Sequence, residues 1–290
     1  MLYRSKKNIL GNYDALIRIS NWGFFSGGKL KILTTDDLKR SLLTKLEDHK
    51  IENKIIILSK QPSKEAIYYK KVIIKRCHEL EIEYVDHEFV DESVEDIINY
   101  VNSFEANDGF IVLSPFGSKD SNIKTIKSSI TIRDLDSFTY KNLGLSLEGD
   151  INYLPATAKA VAMFIDDKFK DIRGKSIVIA NRTNVIGKPL AMYLVAMGAT
   201  VTVLNSNSKN TKEVIRNSDI FISAIGKANY YDLSYFKDGI TLIDVGTSLV
   251  DGKVLGDIDY DSLEKLNVEV LTNKKGIGAI TTLCLLEGLI

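Results

Sequence analysis

The residues best suited by type and spacing to bind a reactive ligand lie between Ile177 and Leu204. Ile177-Val-Ile-Ala180 is an apolar, β-branched run of the kind that forms a strand buried on both faces. A polar loop over 181–187 follows. Pro189 then suits the first turn of a helix, where a missing N–H costs nothing. Leu190, Tyr193, Leu194 and Met197 recur at helical spacing, Gly198 closes the helix, and 201–204 reads as the next strand. A strand–loop–helix–strand unit of this kind sets the phosphates of a dinucleotide against a helix N-terminus. The loop departs from Gly-x-Gly-x-x-Gly, however. Asn181 stands at the first glycine, Thr183 at the second, and Gly187 comes one residue late for the third. Spacing alone leaves open an α/β domain that holds no nucleotide.

The elements around this unit alternate. Thr34-Thr35-Asp36-Asp37 offers caps to a helix ending near residue 48. Residues 55–58 form a buried strand, and a loop containing Pro62 leads into a helix over 64–81 with Ile67, Val72, Cys77 and Leu80 facing inward. Strands at 84–85 and 110–113 flank a helix over 94–104, and residues 132–142 lack periodicity and read as a loop. A helix starts at Pro155, with the domain boundary just before it, dividing the chain into 1–150 and 151–290. Strands near 220–224, 241–245 and 268–271 follow, and the glycine-rich turn Lys275-Gly-Ile-Gly278 precedes a last helix. The alternation predicts an α/β fold of two domains with parallel sheets, the second of Rossmann type. Residues 1–28 form an N-terminal extension, with Tyr13, Ala15, Ile17 and Ile19 at alternate positions before an aromatic turn, and read as an edge hairpin.

Composition narrows the function classes. Lys+Arg and Asp+Glu are both 38, so no bulk field favours nucleic acid or an anionic membrane. Cys77 and Cys284 have no Cys-x-x-Cys spacing, which argues against a disulfide framework and fits a reducing cytoplasm. No run reaches 18 apolar residues, so no membrane span is expected. Arg4, Lys6, Lys7, Asp14 and Arg18 interrupt any signal-peptide core. His78 and His87 have no ligand partner at useful spacing, so no metal site is expected.

Six fragments resemble one family. Asn181-Arg-Thr-Asn-Val-Ile-Gly-Lys-Pro189 is similar to the Gly-Arg-Ser-x-x-Val-Gly-x-Pro loop of the methylenetetrahydrofolate dehydrogenase/cyclohydrolase family. Asp108-Gly-Phe-Ile-Val-Leu-Ser-Pro115 resembles its Asp-Gly-x-x-Val-Gln-x-Pro. Arg133-Asp-Leu-Asp-Ser-Phe138, with Asn142 and Gly144, resembles Lys-Asp-Val-Asp-Gly-Phe followed by Asn and Gly. Ile243-Asp-Val-Gly246, Gly256-Asp257 and Gly276-Ile-Gly-Ala-Ile-Thr281 complete the set, in the right order over about residues 30–290. The resemblance implies a folate derivative as substrate, NADP as cofactor with NAD as the alternative, and a homodimer joined through the nucleotide domain.

What it implies for individual residues is less uniform. The family's folate helix carries Ser-x-x-Tyr-x-x-x-Lys. Anchoring on Cys77 and Ile82 puts Tyr69 at the tyrosine and Ile73 at the lysine, whereas anchoring on Ser63 puts Ala66 and Lys70 there. Leu113 stands at the supporting glutamine, and Asp136 retains the pterin-pocket aspartate. Expected catalytic residues are therefore Tyr69, Lys70 and Asp136, with Leu113, Gly276, Ile277 and Gly278 joining Tyr69 and Asp136 around the substrate. Expected cofactor contacts are Asn181, Arg182, Thr183, Gly187, Ser206, Thr247 and Thr281. Arg182 matches the arginine offered to a 2′-phosphate, which a guanidinium grips bidentately. Hydrolysis of a methenylfolate needs a tuned group beside a water, whereas hydride transfer asks mainly for geometry. The missing lysine and glutamine thus point to a dehydrogenase with weak or absent cyclohydrolase activity. A non-catalytic folate- or nucleotide-binding protein, or an oxidoreductase for another small substrate, are the alternatives.

Overall fold

The computed structural model describes residues 29–116 and 122–290. The expected N-terminal hairpin lies outside them. Among the described residues two parallel sheets stand side by side. Strands β1 (Lys31–Leu33), β2 (Ile55–Lys60), β3 (Tyr84–Phe89), β4 (Gly109–Phe116) and β5 (Arg133–Asp134) precede β6 (Ser176–Ala180), β7 (Thr200–Leu204), β8 (Ile220–Ser223) and β9 (Thr241–Asp244). A short antiparallel hairpin, β10 (Ser248–Val250) and β11 (Lys253–Leu255), comes before β12 (Glu269–Leu271). The first sheet has the order β3-β2-β4-β5 and the second β1-β12-β9-β8-β6-β7.

Nine helices connect the described strands: α1 (Asp36–Asp48), α2 (Lys64–Glu79), α3 (Val94–Asn102), α4 (Ile123–Ser129), α5 (Tyr140–Ser146), α6 (Ala156–Lys168), α7 (Gly187–Ala196), α8 (Thr211–Arg216) and α9 (Gly278–Glu287). Strand alternation sorts side chains to two faces. Ile55, Ile57, Ile177 and Ile179 point into one continuous core that α6 and α9 fill between the sheets, while Ile56 with Leu58, and Val178 with Ala180, enter separate cores on the outer faces. Helix α9 is accordingly apolar nearly all round, and α6 is buried along most of its length up to Ile165.

Two expectations are corrected. The buried stripe of α2 is Ala66, Ile73 and Cys77, whereas Ile67 is exposed and Val72 and Leu80 are half-buried. Residues 132–142 are not simply a loop, since they supply β5 and the start of α5, whose cap is Thr139 accepting from the Asn142 amide at 3.2 Å. A two-residue strand has no period to display. Strand β1, which precedes the expected boundary at 150, pairs in parallel with β12 of the second sheet, Lys31 opposite Glu269. An ionic clamp spans the same junction: Glu287 on α9 pairs with Lys45 of α1 at 2.6 Å and with Lys159 of α6 at 2.7 Å.

Candidate active site

Sheet order places two crevices. In the second sheet the chain runs from β6 outward to β7 and then returns to β8 on the other side, so β6 and β8 part at a switch point. The first sheet has the same arrangement at β2 and β4. The loop after β6 lies at the first of these points, and Asn181 donates through Nδ2 to the Ala224 carbonyl just beyond β8 at 2.7 Å.

Asn181 also fills its own loop. Its Oδ1 accepts from the backbone amides of Thr183 at 2.8 Å and Gly187 at 3.0 Å, and from the Thr183 hydroxyl at 2.8 Å. The Gly187 amide begins α7 and the Thr183 amide belongs to the loop before it; both are donors a pyrophosphate would use. A Cβ on Gly187 would run into the Asn181 carbonyl, so this glycine performs the close packing of helix on strand. Gly198 ends α7 at φ +86°, with the Ala199 amide reaching the Leu194 carbonyl and the Gly198 amide the Val195 carbonyl, as its expected closing role requires.

The remaining expected cofactor contacts differ in presentation. Arg182, Thr183, Ser206 and Thr247 are exposed around this loop and at the ends of β7 and β9. Thr281 is buried within α9, and its hydroxyl donates to the Ile277 carbonyl at 2.9 Å, so it offers no group outward as placed. The expectation for Ile277 is corrected likewise, because its side chain is 1% exposed and belongs to the core. Gly276 is held by the Thr35 hydroxyl at 3.1 Å, a side chain there would strike the Thr272 carbonyl, and Gly278 has open space beside it.

In the first half, Tyr69, Leu113 and Asp136 line a single cavity of about 410 Å³ together with Ala66, Phe138 and Thr157. Asn184 and Val185 of the β6–α7 loop line it too. The cavity therefore lies where the two sheets' crevices meet. Asp136 accepts from the Ala156 amide, the first of α6, at 2.7 Å. Burial dominates over that bond and, with Asp134 nearby, pushes its carboxyl up to about 7. Burial, with the charges of Asp136 and Cys284, lifts the Tyr69 hydroxyl well above the ordinary phenol range.

Lys70 is not in this cavity. Its ammonium pairs with Asp86 on β3 at 3.0 Å. Ile73 is completely buried in the core one turn beyond Tyr69. Tyr69 and Ala66 of α2 both line the cavity, and the displaced-lysine expectation for Lys70 is corrected. No lysine of α2 reaches the cavity wall, and Leu113 meets that wall with a side chain that is 3% exposed.

Several motif acids prove to be loop scaffolds. Asp134 accepts from the amides of Asp136, Phe138 and Thr139 and from the Thr139 hydroxyl at 2.8–3.3 Å, so it shapes the turn that presents Asp136. Ser137 takes φ +52° there, a conformation that favours glycine, and its hydroxyl donates to the Tyr153 carbonyl at 2.5 Å. Asp108 receives the Lys54 amide at 2.9 Å. Asp244 takes the amides of Gly246, Asp257 and Ile258 and the Tyr260 hydroxyl, while Asp257 takes the Ser223 hydroxyl and the amides of Ile225 and Lys227.

A family model described as the tetrahydrofolate dehydrogenase/cyclohydrolase NAD(P)-binding domain matches residues 155–290. A bifunctional FolD protein of Clostridium botulinum (strain Langeland) is 32% identical over 271 residues, covering 91% of this chain and 95% of the relative. The chain belongs to the methylenetetrahydrofolate dehydrogenase/cyclohydrolase family. Among solved structures, a FolD methylenetetrahydrofolate dehydrogenase/cyclohydrolase from Campylobacter jejuni is 26% identical with a TM-score of 0.80, covering 90% of this chain and 97% of its own. A bifunctional dehydrogenase/cyclohydrolase from Thermoplasma acidophilum is 25% identical with a TM-score of 0.78, covering 89% and 96%.

For a member of this family, the cavity includes residues that motif reading passed over. Phe138 lay inside a quoted fragment. Thr157 and Lys127 carried no signal, since one sits in an alanine-rich helix and the other in the seven-residue α4. Among the described residues no helix is long and apolar enough to cross a membrane, and no group of three or more His, Cys, Asp or Glu could hold a metal ion.

Proposed function

We propose that this chain is an NADP-dependent methylenetetrahydrofolate dehydrogenase with weak or absent cyclohydrolase activity. The single observation that carries this reading is the shared cavity: the folate-side residues Tyr69 and Asp136 and the loop residues Asn184 and Val185 line one space. The loop suits a dinucleotide, because Gly187 lets α7 start close against the end of β6, and its amide with that of Thr183 would serve a pyrophosphate once Asn181 yields them. Arg182 would take a 2′-phosphate, with Thr183, Ser206 and Thr247 around it. NADP, when bound, supplies the hydride acceptor.

The chain's own residues hold the substrate. Asp136, ionised, accepts from the amino edge of the pterin, and Tyr69 supplies a packing face. The folate nitrogen supplies the electron push that expels hydride, so the protein needs to fix geometry and exclude water. Leu113 and Ile73 stand where a polar pair would activate water for the second step, and neither can move a proton. By the same reading the chain divides near residue 150 into substrate and nucleotide parts and works as a homodimer in the cytoplasm.

The test is direct. Purified protein given methylenetetrahydrofolate and NADP should accumulate methenyl absorbance that decays no faster than in buffer. Accelerated decay would remove the argument from Leu113 and Ile73. A second reading, a non-catalytic ligand-binding protein, draws on Asn181 occupying the loop donors. It predicts ligand binding without any turnover.

A further inference from the structure

The charges around the candidate cavity do not yet match a folate. Its charged lining among the described residues consists of Glu65, Asp136 and one cation, Lys127. A folate ends in a glutamyl group with two carboxylates. A cavity bearing only acids would repel that end.

Lys127 projects from α4, and its ammonium lies 4.7 Å from the ring centre of Phe138, which lines this cavity. It lies 5.6 Å from the ring of Tyr140, which lines a neighbouring cavity of about 700 Å³, and Lys127 lines both. The cation thus stands on the partition between the two spaces. Among the described residues no carboxylate comes within ion-pair distance of it. Asp134 is the acid that acts on it through space, but that carboxylate is already taken by three backbone amides and the Thr139 hydroxyl. Aromatic faces attract an ammonium without neutralising it. Burial pushes the Lys127 amine below its usual range, with Asp134 opposing, which marks a charge that has lost water and gained no counter-ion. An arriving carboxylate would supply one.

We propose that Lys127 is the anion-recognising residue of the cavity and takes a carboxylate of the substrate's glutamyl tail, opposite the end that Asp136 holds. This rests on the folate reading above. It makes Lys127 a specificity residue for the tail, with no part in the hydride step.

The experiment compares two ligands by titration calorimetry: tetrahydrofolate, and the corresponding tetrahydropteroyl butylamide, which keeps the ring system and lacks both carboxylates. Wild-type protein should prefer tetrahydrofolate about tenfold, as one charge-assisted contact gives. Lys127→Met should bind both alike, with butylamide affinity unchanged, and Lys127→Arg should restore most of the preference. In turnover, Lys127→Met should raise KM for the glutamyl substrate while kcat holds. A preference that survives Lys127→Met overturns the proposal. So does an equal loss for both ligands, which marks a structural role. Wild-type protein that binds both alike also overturns it and leaves the folate reading intact. Wild-type protein that binds neither overturns the folate reading and this inference with it.

Discussion

The two halves of this chain depart from their family in physically different ways. The cofactor loop is built from backbone, and its departure, Asn181 for glycine, adds a side chain that satisfies the amides of Thr183 and Gly187. Those donors remain in place and a competing acceptor can be displaced. The cavity around Tyr69 and Asp136 is built from side chains, and in the proposed reading the apolar Ile73 and Leu113 stand where the family's polar groups would. Nothing in an apolar wall can be uncovered by moving it. On the proposed reading, the backbone site takes substitution as a shift in affinity, whereas the side-chain site loses a step.

The sharpest way to break this contrast is at Asp136, the acid that the side-chain site retains. Asp136→Ala should abolish folate binding while leaving NADP binding intact, as read by calorimetry with each ligand. Retained folate affinity would place the pterin elsewhere. The same group fixes a pH dependence. Its carboxyl sits at about 7, above the ordinary 3.8, so the native state holds a proton there that the unfolded chain has released. Its stabilising contribution is therefore present at low pH and lost as pH rises through about 7. Folate binding should run the opposite way and strengthen across that interval, because the ionised form accepts from the pterin. Asp136→Asn should flatten both trends in melting and binding curves taken from pH 5 to 8.

A smaller effect is expected at Arg182, which is exposed beside the loop. Arg182→Ala should weaken NADP binding by about 1–3 kcal/mol and leave NAD binding nearly untouched. Equal losses for the two cofactors would take the 2′-phosphate away from this side chain. The smallest effect belongs to Asn181. Asn181→Gly removes the competing oxygen, so both cofactors should bind more tightly, by about 1 kcal/mol. Weaker binding would show instead that its bond to the Ala224 carbonyl braces the loop for the ligand.

The contrast also explains what the sequence made legible. The strand at 177–180 and the closing glycine of α7 follow from local pattern and stand in the fold, whereas Thr35 precedes α1 without capping it, its hydroxyl donating to the Lys275 and Gly276 carbonyls. Motif likeness located the family, yet many of the matched residues serve architecture. Asp108, Asp134, Asp244 and Asp257 spend their oxygens on backbone amides, so their spacing reports loop shape more than chemistry. Register on α2 was ambiguous in sequence because its two anchors differ by three residues, nearly one turn, and only packing against β3 and β4 separates Tyr69 from Lys70. Strand β1 is three residues long, and its partner lies at the far end of the chain, so no local signal could assign it.

That pairing bears on how the protein comes into being. Lys31 and Glu269 are 238 residues apart, and the thermodynamic cost of closing so long a span grows only logarithmically. The kinetic cost is larger, since a contact of such separation cannot form until β12 has been synthesised. A polypeptide emerging from the ribosome carries β1 as an orphan for most of its synthesis, and the nucleotide sheet gains its border strand only after β12 is made. A piece starting at residue 151 would leave the outer edge of β12 bare, a template for joining other chains. Strand β1 thus serves as a selvedge for β12, and the segments before and after residue 150 mature as one unit.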